Sequence, residues 1–95
     1  MDSEMLKCRV EFNEWKCTIT VEYECDSKKS SNVLYSHSSS RNLNAVYSNF
    51  KIASQVLLEW KAFQYEIDEF MRELMNPNHL NEVKCGIQRI FTIQQ

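Results

Sequence analysis

The residues of this chain whose types could do chemistry are four cysteines, two histidines and a helical run of bulky apolar side chains. The thiols are Cys8, Cys17, Cys25 and Cys85, and none belongs to a Cys-x-x-Cys pair. A zinc site drawn from Cys8, Cys17, Cys25 and a histidine would need its ligands within about 2.3 Å of one ion. Cys17 and Cys25 share one face of an expected strand. At about 3.3 Å per residue they stand about 26 Å apart and cannot both hold one metal. His37 and His79 sit in polar contexts that read as surface loops. A Cys/His nucleophile pair would need Cys85 beside His37, yet Cys85 falls on the buried parity of a strand, where a thiol acts as a small hydrophobe. No P-loop, GxGxxG, GxSxG or HExxH pattern occurs. One glycine in 95 residues leaves no loop able to cradle a phosphate. The expectation is a protein that is not an enzyme, has no cofactor or metal site, and takes no small-molecule substrate.

What remains is binding. Trp60, Phe63, Ile67, Phe70 and Leu74 recur, after Val56, at steps of four and three, which is one stripe of a helix. Such a stripe either packs on a sheet or docks a partner helix, since its steps match a heptad seam. These five residues are the candidate partner-binding set. Lys28-Lys29, among serines, could meet a phosphate, although a solvated loop is the plainer reading.

The elements that would position these residues follow from periodicity. Leu6, Cys8, Val10 and Phe12 alternate with Lys7, Arg9 and Glu11, giving a strand over about 6–13. Cys17 to Cys25 alternates in the same way and is rich in Thr, Val, Ile and Tyr, so a second strand over 17–25 completes an antiparallel hairpin. Residues 26–31 read as a polar loop, 32–37 as a third strand, and Leu43 to Tyr47 as a short apolar patch. A single long helix is expected over about 54–75, with Ser54 as N-cap and Asn76-Pro77 as its stop. Its outer face, with Glu59, Lys61, Glu66, Asp68, Glu69, Arg72 and Glu73, reads as solvated and acidic. A last strand is expected over about 83–93, with Gly86 at a bulge or close backbone approach. The expected fold is α+β, one domain over 1–95, an antiparallel sheet in the order β-β-β-α-β. The Cys17–Cys25 and Val83–Ile93 strands are its candidate edges.

Composition agrees with a folded domain: 43% hydrophobic, 25% charged, with five Phe, four Tyr and two Trp. The formal charge of −2 lacks the basic footprint of an autonomous nucleic-acid binder. No apolar window approaches membrane-spanning length. The acidic start, Met1 to Leu6, is unlike a secretory leader, so the thiols are expected to be reduced inside the cell.

The segment from about Glu4 to Tyr47 resembles the middle of the Rad-nine family. The resemblance is carried by Lys7-Cys8-Arg9 opening a strand, the alternation of Cys17 to Tyr23, and Leu43 to Tyr47. Residues 50–58 (FKIASQVLL) are similar to that family's next element, a short strand leading into a helix. The family supplies the large subunit of the nine-one-one checkpoint clamp, a heterotrimeric relative of the proliferating cell nuclear antigen. The resemblance implies part of a sliding-clamp fold, a nuclear location, two other clamp subunits as partners, and a scaffold role in DNA-damage checkpoint signalling and DNA repair. The chain departs from the family in being much shorter than a two-half subunit, in lacking a counterpart of its long phosphorylated tail, and in the acidic outer face of its helix. Contact with DNA is therefore expected to be weak or indirect. The alternative is a small adaptor, unrelated to clamps, that presents the Trp60–Leu74 stripe to another protein.

Overall fold

The computed structural model describes residues 4–13, 16–25, 28–36, 43–76 and 86–95. The order is β1 (Glu4–Asn13), β2 (Lys16–Cys25), β3 (Lys28–Ser36), α1 (Leu43–Glu59), α2 (Gln64–Leu74) and β4 (Gly86–Phe91). The fold is α+β, with a four-stranded sheet in the order β3-β2-β1-β4, antiparallel throughout.

The period-two pattern of β1 and β2 sets the register. Cys8 stands opposite Val21, Val10 opposite Ile19, and Phe12 opposite Cys17. These side chains are all buried, so both strands give the same face to the core. On the other side of β1, Leu6 stands opposite Phe91 and Val10 opposite Ile87. The close approach expected at Gly86 is present. A Cβ there would lie 2.7 Å from the Val10 carbonyl oxygen, and the residue's φ is +156°.

Two helices cover this face, not the one long helix expected over 54–75. Helix α1 begins eleven residues earlier, at Leu43, and buries Val46, Phe50, Ala53 and Leu57. It ends in a Schellman turn. The Ala62 amide donates to the Leu57 carbonyl at 2.9 Å and the Lys61 amide to the Leu58 carbonyl at 3.0 Å. Lys61 occupies the left-handed position, with φ of 68°. Ala62 and Leu57, which that motif brings together, are both fully buried. Ser54 is no N-cap. It lies inside α1, and its Oγ donates to the Phe50 carbonyl four residues back at 2.8 Å. Residues 50–58, expected to start as a strand, are helical throughout.

Helix α2 carries Glu66 in its first turn and Arg72 in its last, each the sign that suits the helix dipole. It stops at Leu74, close to the expected end. Phe70 joins the layers, with its ring 5.5 Å from Phe50 and 5.9 Å from Phe91, edge to face in both cases.

The strand expected over 32–37 begins four residues sooner. The run read as a loop, including Lys28-Lys29, pairs with the second half of β2, Lys28 opposite Cys25. Of the last strand, expected over 83–93, the described part is strand over Gly86–Phe91. Ile93 instead forms an isolated bridge with Ala62. His37, His79, Val83 and Cys85 lie outside the described residues, and with them the Cys85–His37 pair argued against above.

Candidate partner-binding site

The structure divides the stripe. Ile67, Phe70 and Leu74 are fully buried on α2 against the sheet. Trp60 and Phe63 are half-buried, at the turn between the helices and at the residue preceding α2. Three of the five candidate residues are thus core, while Trp60 and Phe63 keep part of their surface open.

The edges are also reassigned. Strand β2 is interior, because β3 pairs with it along its length. The sheet's two outer strands are β3 and β4, and among the described residues no strand pairs with their outer sides. They differ in chemistry. Strand β3 opens with Lys28-Lys29, and lysine on an edge discourages pairing. Strand β4, GIQRIF, has neither Lys nor Pro, and its Ile90 is 58% exposed.

Past Phe91 the chain is already held. Glu66, read from the sequence as a solvated residue, is buried. Its carboxylate accepts from the Thr92 amide at 3.0 Å and the Thr92 hydroxyl at 3.4 Å, and Arg89 lies 3.6 Å away. Arg89 also donates to Glu69 at 2.9 Å. The Gln94 amide donates to the Lys61 carbonyl at 2.8 Å, and the Gln94 side chain to that of Ala62 at 3.1 Å. Burying a carboxylate costs free energy unless it is hydrogen-bonded, and here it fastens the last residues to α2.

On the open face of the sheet, Arg9 is held by Glu22 and by Glu11 at 3.4 Å. Its Nε is the one buried side-chain polar atom without a partner among the described residues.

The thiols are quiet. Cys8 and Cys17 are buried, and burial pushes them up to about 12 and about 11. Cys25 is half-buried, at the end of β2. Among the described residues no group of three or more His, Cys, Asp or Glu could hold a metal ion. No helix there is long and apolar enough to cross a membrane.

Two concavities are lined by aromatic side chains. A groove of about 630 Å³ runs between α1 and α2, lined by Tyr47, Lys51, Ile52, Leu58, Gln64 and Met71 among others. Tyr47 and Ile52 are exposed, and the Lys51 ammonium sits 5.3 Å from the centre of the Tyr47 ring. A smaller cleft of about 280 Å³ lies where the β1–β2 hairpin meets the turn after α1. Tyr23 and Trp60 form its aromatic part, their centroids 5.8 Å apart and their planes at 53°. The Tyr23 hydroxyl donates to Glu4 at 2.7 Å. That bond, then one with Cys25, pushes the phenol above its ordinary range. Sequence reasoning missed this cleft, because Glu4, Tyr23, Glu59 and Trp60 come from three separate stretches of chain and share no motif.

No protein family, curated protein or solved structure matches this chain.

Proposed function

We propose that this chain is a non-enzymatic binding protein of the clamp type, joining related subunits edge to edge as a scaffold in DNA-damage checkpoint signalling and DNA repair in the nucleus. One observation carries the edge-pairing part. The sheet is covered on one face and ends, among the described residues, in two strands without outer partners. Free edges present rows of N–H and C=O groups that another strand can complete. Strand β4 is the better edge, having no lysine or proline and an exposed Ile90. The clamp part rests on the resemblance to the Rad-nine family read from the sequence alone over residues 4–58, and the antiparallel, helix-backed sheet is compatible with it.

The test mixes the purified chain with the other two subunits of a nine-one-one-type clamp and measures the mass of what elutes from a sizing column. A stoichiometric complex is expected. Ile90→Lys, which puts a charge on the β4 edge, should weaken it at least tenfold while leaving the circular dichroism unchanged. A wild-type chain that elutes alone at micromolar concentrations sinks the clamp reading.

A further inference from the structure

We propose that the cleft lined by Tyr23 and Trp60 is a receptor for an arginine side chain presented by a partner protein. The walls of the cleft are Glu4, Tyr23, Glu59, Trp60, Lys61 and Ile93. Its volume of about 280 Å³ lies just below the range of small-molecule sites, and suits one long side chain.

Three features select a planar cation. Tyr23 and Trp60 pack on each other, centroids 5.8 Å apart and planes at 53°, and both put aromatic surface on the cleft wall. A cation over such faces is attracted by their quadrupoles, most strongly over Trp. Glu4 and Glu59 are both exposed, so they are open to a partner, and two carboxylates outnumber the one ammonium of Lys61. The Glu4 carboxylate is oriented by the Tyr23 hydroxyl, which donates to it at 2.7 Å. Guanidinium suits this set better than ammonium. It is flat enough to stack on an indole, and its fork can meet a carboxylate with two parallel hydrogen bonds.

The backbone that builds the cleft is fixed. Trp60 and Lys61 belong to the Schellman turn, and Lys61 is further held by Gln94. Tyr23 and Glu4 lie on paired strands in fixed register. Little backbone entropy remains to be lost on binding, which favours a small site. This inference stands apart from the edge-pairing proposal. The cleft lies at the strand–helix junction and does not involve the outer side of β4 or β3.

The experiment follows the indole N–H resonance of Trp60 by NMR, assigned by its loss in Trp60→Phe. The probes are acetylated, amidated pentapeptides, Gly-Gly-X-Gly-Gly, with X as arginine, lysine or citrulline, and free tetramethylammonium. The arginine peptide is expected to shift that resonance saturably, at low millimolar concentration. Citrulline, its neutral counterpart, should leave it still. The lysine peptide should bind about threefold more weakly than arginine. Glu59→Gln, a surface change that spares the fold, should weaken arginine binding about two- to fivefold, in line with the value of one exposed ion pair. Lys61→Gly removes the opposing charge and should tighten it by a similar factor. Equal shifts with arginine and citrulline, or none up to 20 mM arginine peptide, overturn the proposal. Tetramethylammonium binding as tightly as arginine overturns the guanidinium preference and leaves a site for small free cations instead.

Discussion

At the scale of single residues, the structure is most informative about groups that are buried when they would rather be wet. Cys8 and Cys17 sit on the core face of adjacent strands, where a thiolate has no compensating charge. Their thiols are raised from 9.0 to about 12 and about 11. In the unfolded chain they would ionise near pH 9. Above that pH the unfolded state gives up protons that the native state keeps, so stability falls as pH rises towards 11–12. Below pH 9 both states hold the proton and the contribution is complete. The slope for one such thiol approaches about 1.4 kcal/mol per pH unit. Urea midpoints measured from pH 8 to 10.5 should therefore decline, and the decline should be shallower in Cys8→Ala. The variant loses stability at pH 8 as well, from its cavity. Only the slope speaks to the thiol, and equal slopes in the two proteins would contradict the assignment. Tyr23 is also raised, by the bond it donates to Glu4, and it adds to the decline equally in both proteins.

At the scale of elements, the decisive feature is the turn at residues 60–62. A lysine occupies the left-handed position where helices most often place glycine. The strain of an L-residue there is roughly 1–2 kcal/mol, and glycine does not bear it. Glycine gives part of this back through the larger entropy of its unfolded chain. Lys61→Gly is expected to raise stability by roughly 0.5–1 kcal/mol, a few degrees in Tm for a domain of this size. Lys61→Val should lower it, since a β-branched residue resists positive φ. Calorimetry on the two variants checks the sign. A destabilised Lys61→Gly would mean that the lysine side chain does more at the turn than its backbone costs. The same lysine explains why two helices read as one. With no glycine to mark the break, the apolar positions continue at steps of four and three from Val56 to Leu74. Both helices face the same sheet, so the stripe survives the turn. Helix α1 was legible in principle. Val46, Phe50, Ala53 and Leu57 carry the same steps, but Asn44, Ser48 and Asn49 dilute them. The alternation of β1 and β2 was clear because both strands bury one face against helices. Strand β3 begins in Lys28-Lys29-Ser30-Ser31, and nothing in those types announces a strand. Only the need of β2 for a partner on its outer side makes it one.

For the molecule as a whole, charge decides what it can touch. The absence of phosphate-loop and hydrolase motifs could be read from single residues. The Tyr23–Trp60 cleft could not, because pairing across β1 and β2 and the turn after α1 bring its parts together. Electrostatics belongs to neither class, being a sum over the surface. The chain carries a net charge of −2, and its pI is about 5.6. Lys51 is the one basic residue along the groove between the helices. Arg9 and Arg89, on the sheet, are each held by two glutamates. A protein that grips DNA neutralises several phosphates, and its affinity then falls steeply with salt, close to one power per phosphate contacted. No described surface offers such a row of free cations. Duplex DNA titrated against the isolated chain should bind more weakly than about 10⁻⁴ M at physiological salt, below ordinary non-specific affinity, with little salt dependence. The clamp reading turns this into a sharper statement. Any DNA affinity of the assembled complex must come from basic faces on its partners, so charge reversals on this chain, such as Lys51→Glu, should leave it unchanged. Tight binding by the chain alone, with a log–log salt slope of several units, would overturn both the charge argument and the division of labour drawn from it.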